Sequence, residues 1–269
     1  MPRYKTKTRQ RSEDSGYESG YESDGGTEYS PTRLLGTGEY AQARLFKSIS
    51  DKMITVLNPV KTPDIDIGEA TIKHRFFQTI YPDTESHLFD METDYRLVVP
   101  YIQYVPYDEL DINTPEFQKG LFYSAIQALT DCHDKGLIVL DLKTDNIYYD
   151  SRTKKSYLID GGLSTPTGSS IDPYAFQKKS QEIVEKYKRD YDHIPPECWS
   201  VAPASVSATP KMDIYCLGIL MQDLIVTPSS DIQSLIDSCL EQDPDNRPTL
   251  EKLLISLESV NSENMITLC

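Results

Sequence analysis

An apolar helix closes at His133, an apolar strand follows, and Asp141, Lys143 and Asn146 then leave that strand together on one short loop. Further along, a second apolar strand, Tyr157-Leu158-Ile159-Asp160, is closed by Gly161-Gly162. Moving a phosphoryl group requires an acceptor for the incoming hydroxyl's proton, a cation beside the migrating group, and oxygen ligands for a divalent metal. Asp141, Lys143, Asn146 and Asp160 are chemical groups of those kinds, in chain order. Read as turn residues between strands, the four would have no reason to fall at these spacings.

The loop Asp141-Leu142-Lys143-Thr144-Asp145-Asn146 resembles the catalytic loop of protein kinases, H-R-D-L-K-x-x-N, and Asp160-Gly161-Gly162 resembles their Asp-Phe-Gly metal motif. The resemblance implies an α+β, bilobal protein-kinase-like fold with a small β-rich N-lobe and a larger α-helical C-lobe. It implies ATP with Mg2+ or Mn2+ as cofactors. Asp141 would be the base, Lys143 would stabilise the transferring group, and Asn146 and Asp160 would hold the metal. Lys143 fits the serine/threonine branch.

The elements that must position these groups follow the same pattern. Leu35-Gly36-Thr37-Gly38 resembles the family's phosphate-covering loop, with Ala41 at its third glycine and Ala43 at the valine that caps the adenine. Glycines there let backbone amides approach phosphates without a Cβ in the way. Family spacing puts the strand lysine at Asn58, and Lys52 or Lys61 are the alternatives. Of these, Lys61 would fold back from the turn after Pro59, and Glu69 would be its partner on the next helix. Two further departures lie in the core. Val139-Leu140 replace His-Arg before the Asp, so activity should not require a phosphorylated activation segment. Gly161 replaces the aromatic of Asp-Phe-Gly, which implies a rebuilt packing column and a more mobile metal loop.

Downstream, Ile194-Pro195-Pro196-Glu197 resembles the Ala-Pro-Glu that ends the activation segment. Asp213 resembles the residue that braces the catalytic loop, and Cys239 to Thr249 resembles the segment whose Arg247 pairs with Glu197. Those three have structural roles. The resemblance covers residues 33 to 258. Alternating apolar residues predict a meander over 43–49 and 52–58 with a turn at Ser50-Asp51, and helical spacing predicts helices over 67–80, 117–133 and 212–225.

Residues 1 to about 30 pass from a basic cluster into Ser15-Gly16-Tyr17-Glu18 and its repeat at Ser19. With almost no aliphatic side chains, this segment reads as a disordered tail. The kinase-like domain then occupies 31–260 (N-lobe about 31–100, C-lobe about 106–260), followed by a tail over 261–269. Asp14-Ser15-Gly16-Tyr17-Glu18-Ser19 resembles a phosphodegron, D-S-G-x-x-S, which implies phosphorylation-dependent binding by a ubiquitin-ligase substrate receptor.

The 269 residues carry a net charge of −15 and a pI near 4.7. That acidity argues against nucleic acid as a partner, because such binding neutralises phosphates with cations. No window reaches the roughly 18 apolar residues of a membrane span. Five scattered cysteines without a CxxC pair predict free thiols and a cytoplasmic setting; atypical kinase motifs beside a eukaryotic recognition sequence also fit a bacterial effector acting in a host cytosol. Two classes of function therefore stand: a divergent serine/threonine kinase, or a pseudokinase scaffold that recruits partners through its fold and tail. Nucleotidyl transfer on the same fold is a third reading.

Overall fold

The computed structural model describes residues 21–22, 28–37, 41–59, 67–84, 86–91, 94–103, 114–150, 152–171, 185, 188–189, 191–199, 206–225 and 228–259. The N-terminal half is an antiparallel sheet of six strands: β1 (Tyr21–Glu22), β2 (Glu28–Thr37), β3 (Ala41–Ser48), β4 (Met53–Pro59), β5 (His87–Met91) and β6 (Asp94–Pro100). Their spatial order is β1-β2-β3-β4-β6-β5. Helix α1 (Ile67–Ile80) crosses between β4 and β5. The β3–β4 hairpin turns at Ile49-Ser50-Asp51, where Asp51 takes a left-handed φ of 64°, a conformation aspartate tolerates better than most residues.

Strand alternation sorts this sheet into two faces. Phe46, Ile54, Val56 and Val98 form an outer cluster with Tyr29. Leu97 and Val99 face inward and join the main core. The expectation of a disordered tail up to about residue 30 is corrected at its end. β2 begins at Glu28 and Tyr29 is 2% exposed, while Tyr21 pairs across the strands with Tyr29. A tyrosine ring provides apolar area that a count of aliphatic residues overlooks. The 14–19 motif and the 261–269 tail lie outside the described residues.

The second half is mainly helical. α2 (Pro115–Asp134) is capped by Thr114, whose hydroxyl accepts from the Phe117 amide at 3.3 Å, with Pro115 in the first turn. It buries Leu121, Phe122, Ala125, Leu129 and Cys132 on one face. α3 (Pro210–Leu224) is apolar on nearly every side and runs through the centre of this half. α4 (Ser230–Cys239) and α5 (Leu250–Ser259) pack around it. Between α2 and α3 lie the short strands β7 (Leu137–Ile138), β8 (Ile147–Asp150), β9 (Lys155–Leu158), β10 (Thr165–Pro166), β11 (Ser170–Ile171) and β12 (Val206–Ser207). One core runs continuously from α1 through α5, so the fold is the bilobal α+β arrangement expected. Cys132, Cys198, Cys216 and Cys239 are buried free thiols, and burial pushes the Cys198 thiol up to about 12. Among the described residues, no helix is long and apolar enough to cross a membrane.

Candidate active site

β7 delivers the chain to a loop held from below by Asp213 on α3. The Asp213 carboxylate is fully buried. It accepts from the Val139 amide at 2.9 Å, from the Leu140 amide at 2.8 Å, and is 2.8 Å from His133 Nε2. Leu140 needs that support, because its φ of 64° lies where a branched side chain is unfavourable. The loop therefore leaves the strand in a fixed direction, and Asp141 follows immediately.

Around Asp141 the expected groups converge. Lys143 Nζ lies 2.9 Å from Oδ1 and 3.1 Å from Oδ2, and Asn146 Nδ2 donates to Oδ2 at 2.6 Å and to the Asp141 carbonyl at 2.9 Å. A further partner was not foreseen. His193 Nε2, from the segment ahead of Pro195, lies 2.7 Å from Oδ1, and the ring is buried. Burial alone would push the Asp141 carboxyl up. The His193 hydrogen bond and the Lys143 ammonium outweigh it and hold the carboxyl below its ordinary value.

Asp160 follows β9 and has its Oδ1 capped by the Gly162 amide at 2.9 Å. Its Oδ2 pairs with Lys73 Nζ, on α1, at 3.1 Å. Asn146 uses its amide nitrogen as donor, leaving the carbonyl oxygen as its ligand atom. A carboxylate and an amide oxygen are the hard donors that magnesium takes beside phosphates and water. The ammonium held on Asp160 marks the same spot as one that demands positive charge. Both residues thus offer oxygen donors of the kind that Mg2+ takes.

Gly161 is explained by contact rather than by mobility. A Cβ there would stand 2.1 Å from Phe76 Cγ and 2.6 Å from Phe76 Cβ. Phe76 comes from α1 and is fully buried, so the space beside the metal loop is filled by an aromatic from the helix. The expectation of a loosened loop gives way to a tightly packed one.

Between the lobes, Leu35, Ala43, Thr55, Leu57, Phe77, Val99, Pro100, Tyr101, Ile102, Tyr148 and Ile159 enclose a largely apolar cavity of about 170 Å3. Ala43 pairs with Leu57 across β3 and β4, and both belong to the roof. Tyr148 and Ile159 belong to the floor, a slot suited to a flat aromatic ring. Thr55 and Leu57 are the β4 residues facing it, so alternation turns Asn58 to the face of Ile54 and Val56. The position that family spacing assigns to the strand lysine thus points away from the cleft. Lys52 is exposed at the far end of the same strand, and Lys61 lies outside the described residues. Glu69 stands one turn before Lys73 on α1. Gly36 is in β2, paired with Ala43, and Gly38 is outside the described residues.

Glu197 and Arg247 meet bidentately at 2.7 and 2.8 Å. The guanidinium also donates to the carbonyls of Glu241 and Lys211 at 2.8 and 2.9 Å and stacks on Tyr215. Lys73, Phe76 and His193 are the site residues that the sequence reading missed. A signal existed for the first. Ala70, Lys73 and Phe77 share one helical stripe, and a lysine in an apolar stripe needs a partner.

No family model matches the chain. It is 30% identical over 149 residues (48% of this chain, 43% of the relative) to "Serine/threonine-protein kinase pim-2" of Danio rerio. Over 138 residues (48% and 26%) it is 27% identical to "Membrane-associated tyrosine- and threonine-specific cdc2-inhibitory kinase" of Drosophila melanogaster. A match of 26% over 182 residues (63% and 10%) is to "Serine/threonine-protein kinase vps15" of Schizosaccharomyces pombe. The chain spans less than half the length of these curated relatives. In sequence the chain is thus similar to protein kinases, and its loop, its Asp160 motif and its bilobal frame are arranged in a protein-kinase-like way.

Proposed function

We propose that this protein is a divergent serine/threonine protein kinase that moves the γ-phosphate of ATP onto a protein hydroxyl. The observation that carries the reading is the carboxylate of Asp141, ionised and tied to Lys143 and Asn146 beside the Asp160 loop. Asp141 orients the hydroxyl and accepts its proton, and Lys143 follows the charge that develops on the transferring oxygens. Asn146 and Asp160 would hold magnesium, which supplies charge neutralisation for the phosphates when bound. The apolar slot takes the adenine, with Ala43 above and Tyr148 below. A substrate hydroxyl must displace a donor from Asp141, and His193 is the one supplied by the segment where a peptide would dock.

The pseudokinase reading has one observation of its own: the Thr55–Leu57 face of β4 brings no cation to the cleft. In either case the 14–19 motif remains a proposed phosphorylation-dependent docking segment. The deciding experiment incubates the chain with radiolabelled ATP, Mg2+ or Mn2+, and generic substrates or a eukaryotic lysate. Asp141→Ala and Asp160→Ala run alongside. γ-Label on protein, lost in both variants, is the expected result. Label from the α-phosphate alone would mean nucleotidyl transfer, and no label in any condition would leave the scaffold.

A further inference from the structure

Lys73 is an unusual residue for its place. It sits on the inward stripe of α1, between Ala70, which is 1% exposed, and Phe77, which is 2% exposed. Its side chain is 15% exposed. An ammonium is seldom retained at such a position without an anionic partner. One such partner is Asp160 Oδ2 at 3.1 Å, the carboxylate read above as a metal ligand. Two contacts fix the geometry of this pairing. Phe76 closes on Gly161 immediately after Asp160. At the end of α1, the Tyr81 hydroxyl donates to the Leu158 carbonyl at 2.9 Å, two positions before Asp160. The helix is thus held on both sides of the carboxylate it neutralises.

The nucleotide's phosphates need a cation on this side of the cleft, and β4 does not supply it. Thr55 and Leu57 face the slot and Asn58 faces away. Lys52, at the opposite end of a strand rising about 3.3 Å per residue, is too distant. We propose that Lys73, carried on α1 instead of on the strand, is the lysine that binds the nucleotide's phosphates. In the nucleotide-free chain it neutralises Asp160. With metal and nucleotide present, the metal takes the carboxylate and the ammonium turns to the phosphate oxygens. The inference rests on the phosphotransfer reading of the site, and its test separates the two.

The probe is an acyl phosphate of ATP, which acylates a lysine amine close to the terminal phosphates and leaves the nucleotide as the leaving group. The 269-residue chain is labelled with and without excess Mg-ATP and digested, and the modified lysines are identified by mass spectrometry. Acylation of Lys73 that ATP suppresses is expected. ATP-suppressed label on Lys52, Lys61 or Lys143 without Lys73 would overturn the assignment while leaving nucleotide binding intact. No ATP-suppressed label at any lysine, together with no binding of a fluorescent ATP analogue, would overturn both. As a second measurement, Lys73→Met should weaken binding of that analogue roughly ten- to hundredfold, the range of one lost charge-assisted contact. Lys73→Arg should retain most of it. Unchanged affinity in Lys73→Met, with an unchanged melting temperature, would also refute the assignment.

Discussion

The packing of Phe76 on Gly161 is best tested by a double-mutant cycle. A Cβ added at residue 161 would meet Phe76 Cγ at 2.1 Å, Phe76 Cδ1 at 2.6 Å and Phe76 Cβ at 2.6 Å. Ordinary carbon contacts begin near 3.5 Å, so the loop or the helix must give way by roughly 1.4 Å at the closest contact. Phe76 is fully buried and Tyr81 anchors the end of its helix, which leaves little freedom to give way. Gly161→Ala should therefore destabilise by about 1–3 kcal/mol, the usual range for overpacking. Phe76→Ala should cost about 3–5 kcal/mol through the cavity it leaves. The two must not add. Removing the ring deletes the Cγ and Cδ1 contacts but keeps Cβ. In the Phe76→Ala background Gly161→Ala should thus cost at least about 1 kcal/mol less than in wild type, though more than nothing. Chemical denaturation of the four proteins, followed by far-ultraviolet circular dichroism, measures the coupling. Additivity within about 0.5 kcal/mol would refute the argument that the ring is what requires glycine.

Further outcomes follow from two other contacts. Glu197→Ala leaves Arg247, whose side chain is 0% exposed, without its anion, and should cost about 3–5 kcal/mol by the same denaturation assay; Arg247→Lys should lose a similar amount because one ammonium cannot replace a bidentate fork. The Asp141 carboxyl is held below its ordinary value, so its stabilisation is full above the unfolded value of about 3.9 and is lost as pH falls through the lower folded value. His193→Gln, which removes the imidazole partner, should bring that loss to higher pH; identical stability curves for variant and wild type from pH 3 to 6 would show that His193 does nothing for Asp141.

Local patterns carried far in this chain. The helix expected over 67–80 has those bounds, because its apolar stripe runs out where Tyr81-Pro82 stops helical hydrogen bonding. Asp141, Lys143 and Asn146 share a six-residue loop, so their convergence follows from chain proximity alone. Where the reading fell short, the missing information was tertiary. His193 reaches Asp141 from a distant segment, and no periodicity announces it. Asn58 was reached by counting along a strand, yet pleating sends consecutive side chains to opposite faces, so one step of register decides between cleft and outer core. Gly161 suggested freedom because glycine is permissive in isolation, but the constraint comes from Phe76.

The last two misses share a cause. Set against the motifs that the sequence resembles, the chain has no aromatic immediately after Asp160 and no lysine at Asn58. The structure places an aromatic, Phe76, and a lysine, Lys73, around Asp160, and both come from α1. They are less than one turn apart, so they face the metal loop together, and a single displacement of the helix would withdraw both. A helix with that double duty has to be tied to the lobe that holds Asp160, and the Tyr81–Leu158 hydrogen bond is such a tie. A departure from the resembled motifs at Gly161 or on β4 therefore has to be judged by what stands around Asp160. What matters is whether the same charge and the same volume reach the same carboxylate from another element, and in this chain one helix delivers both.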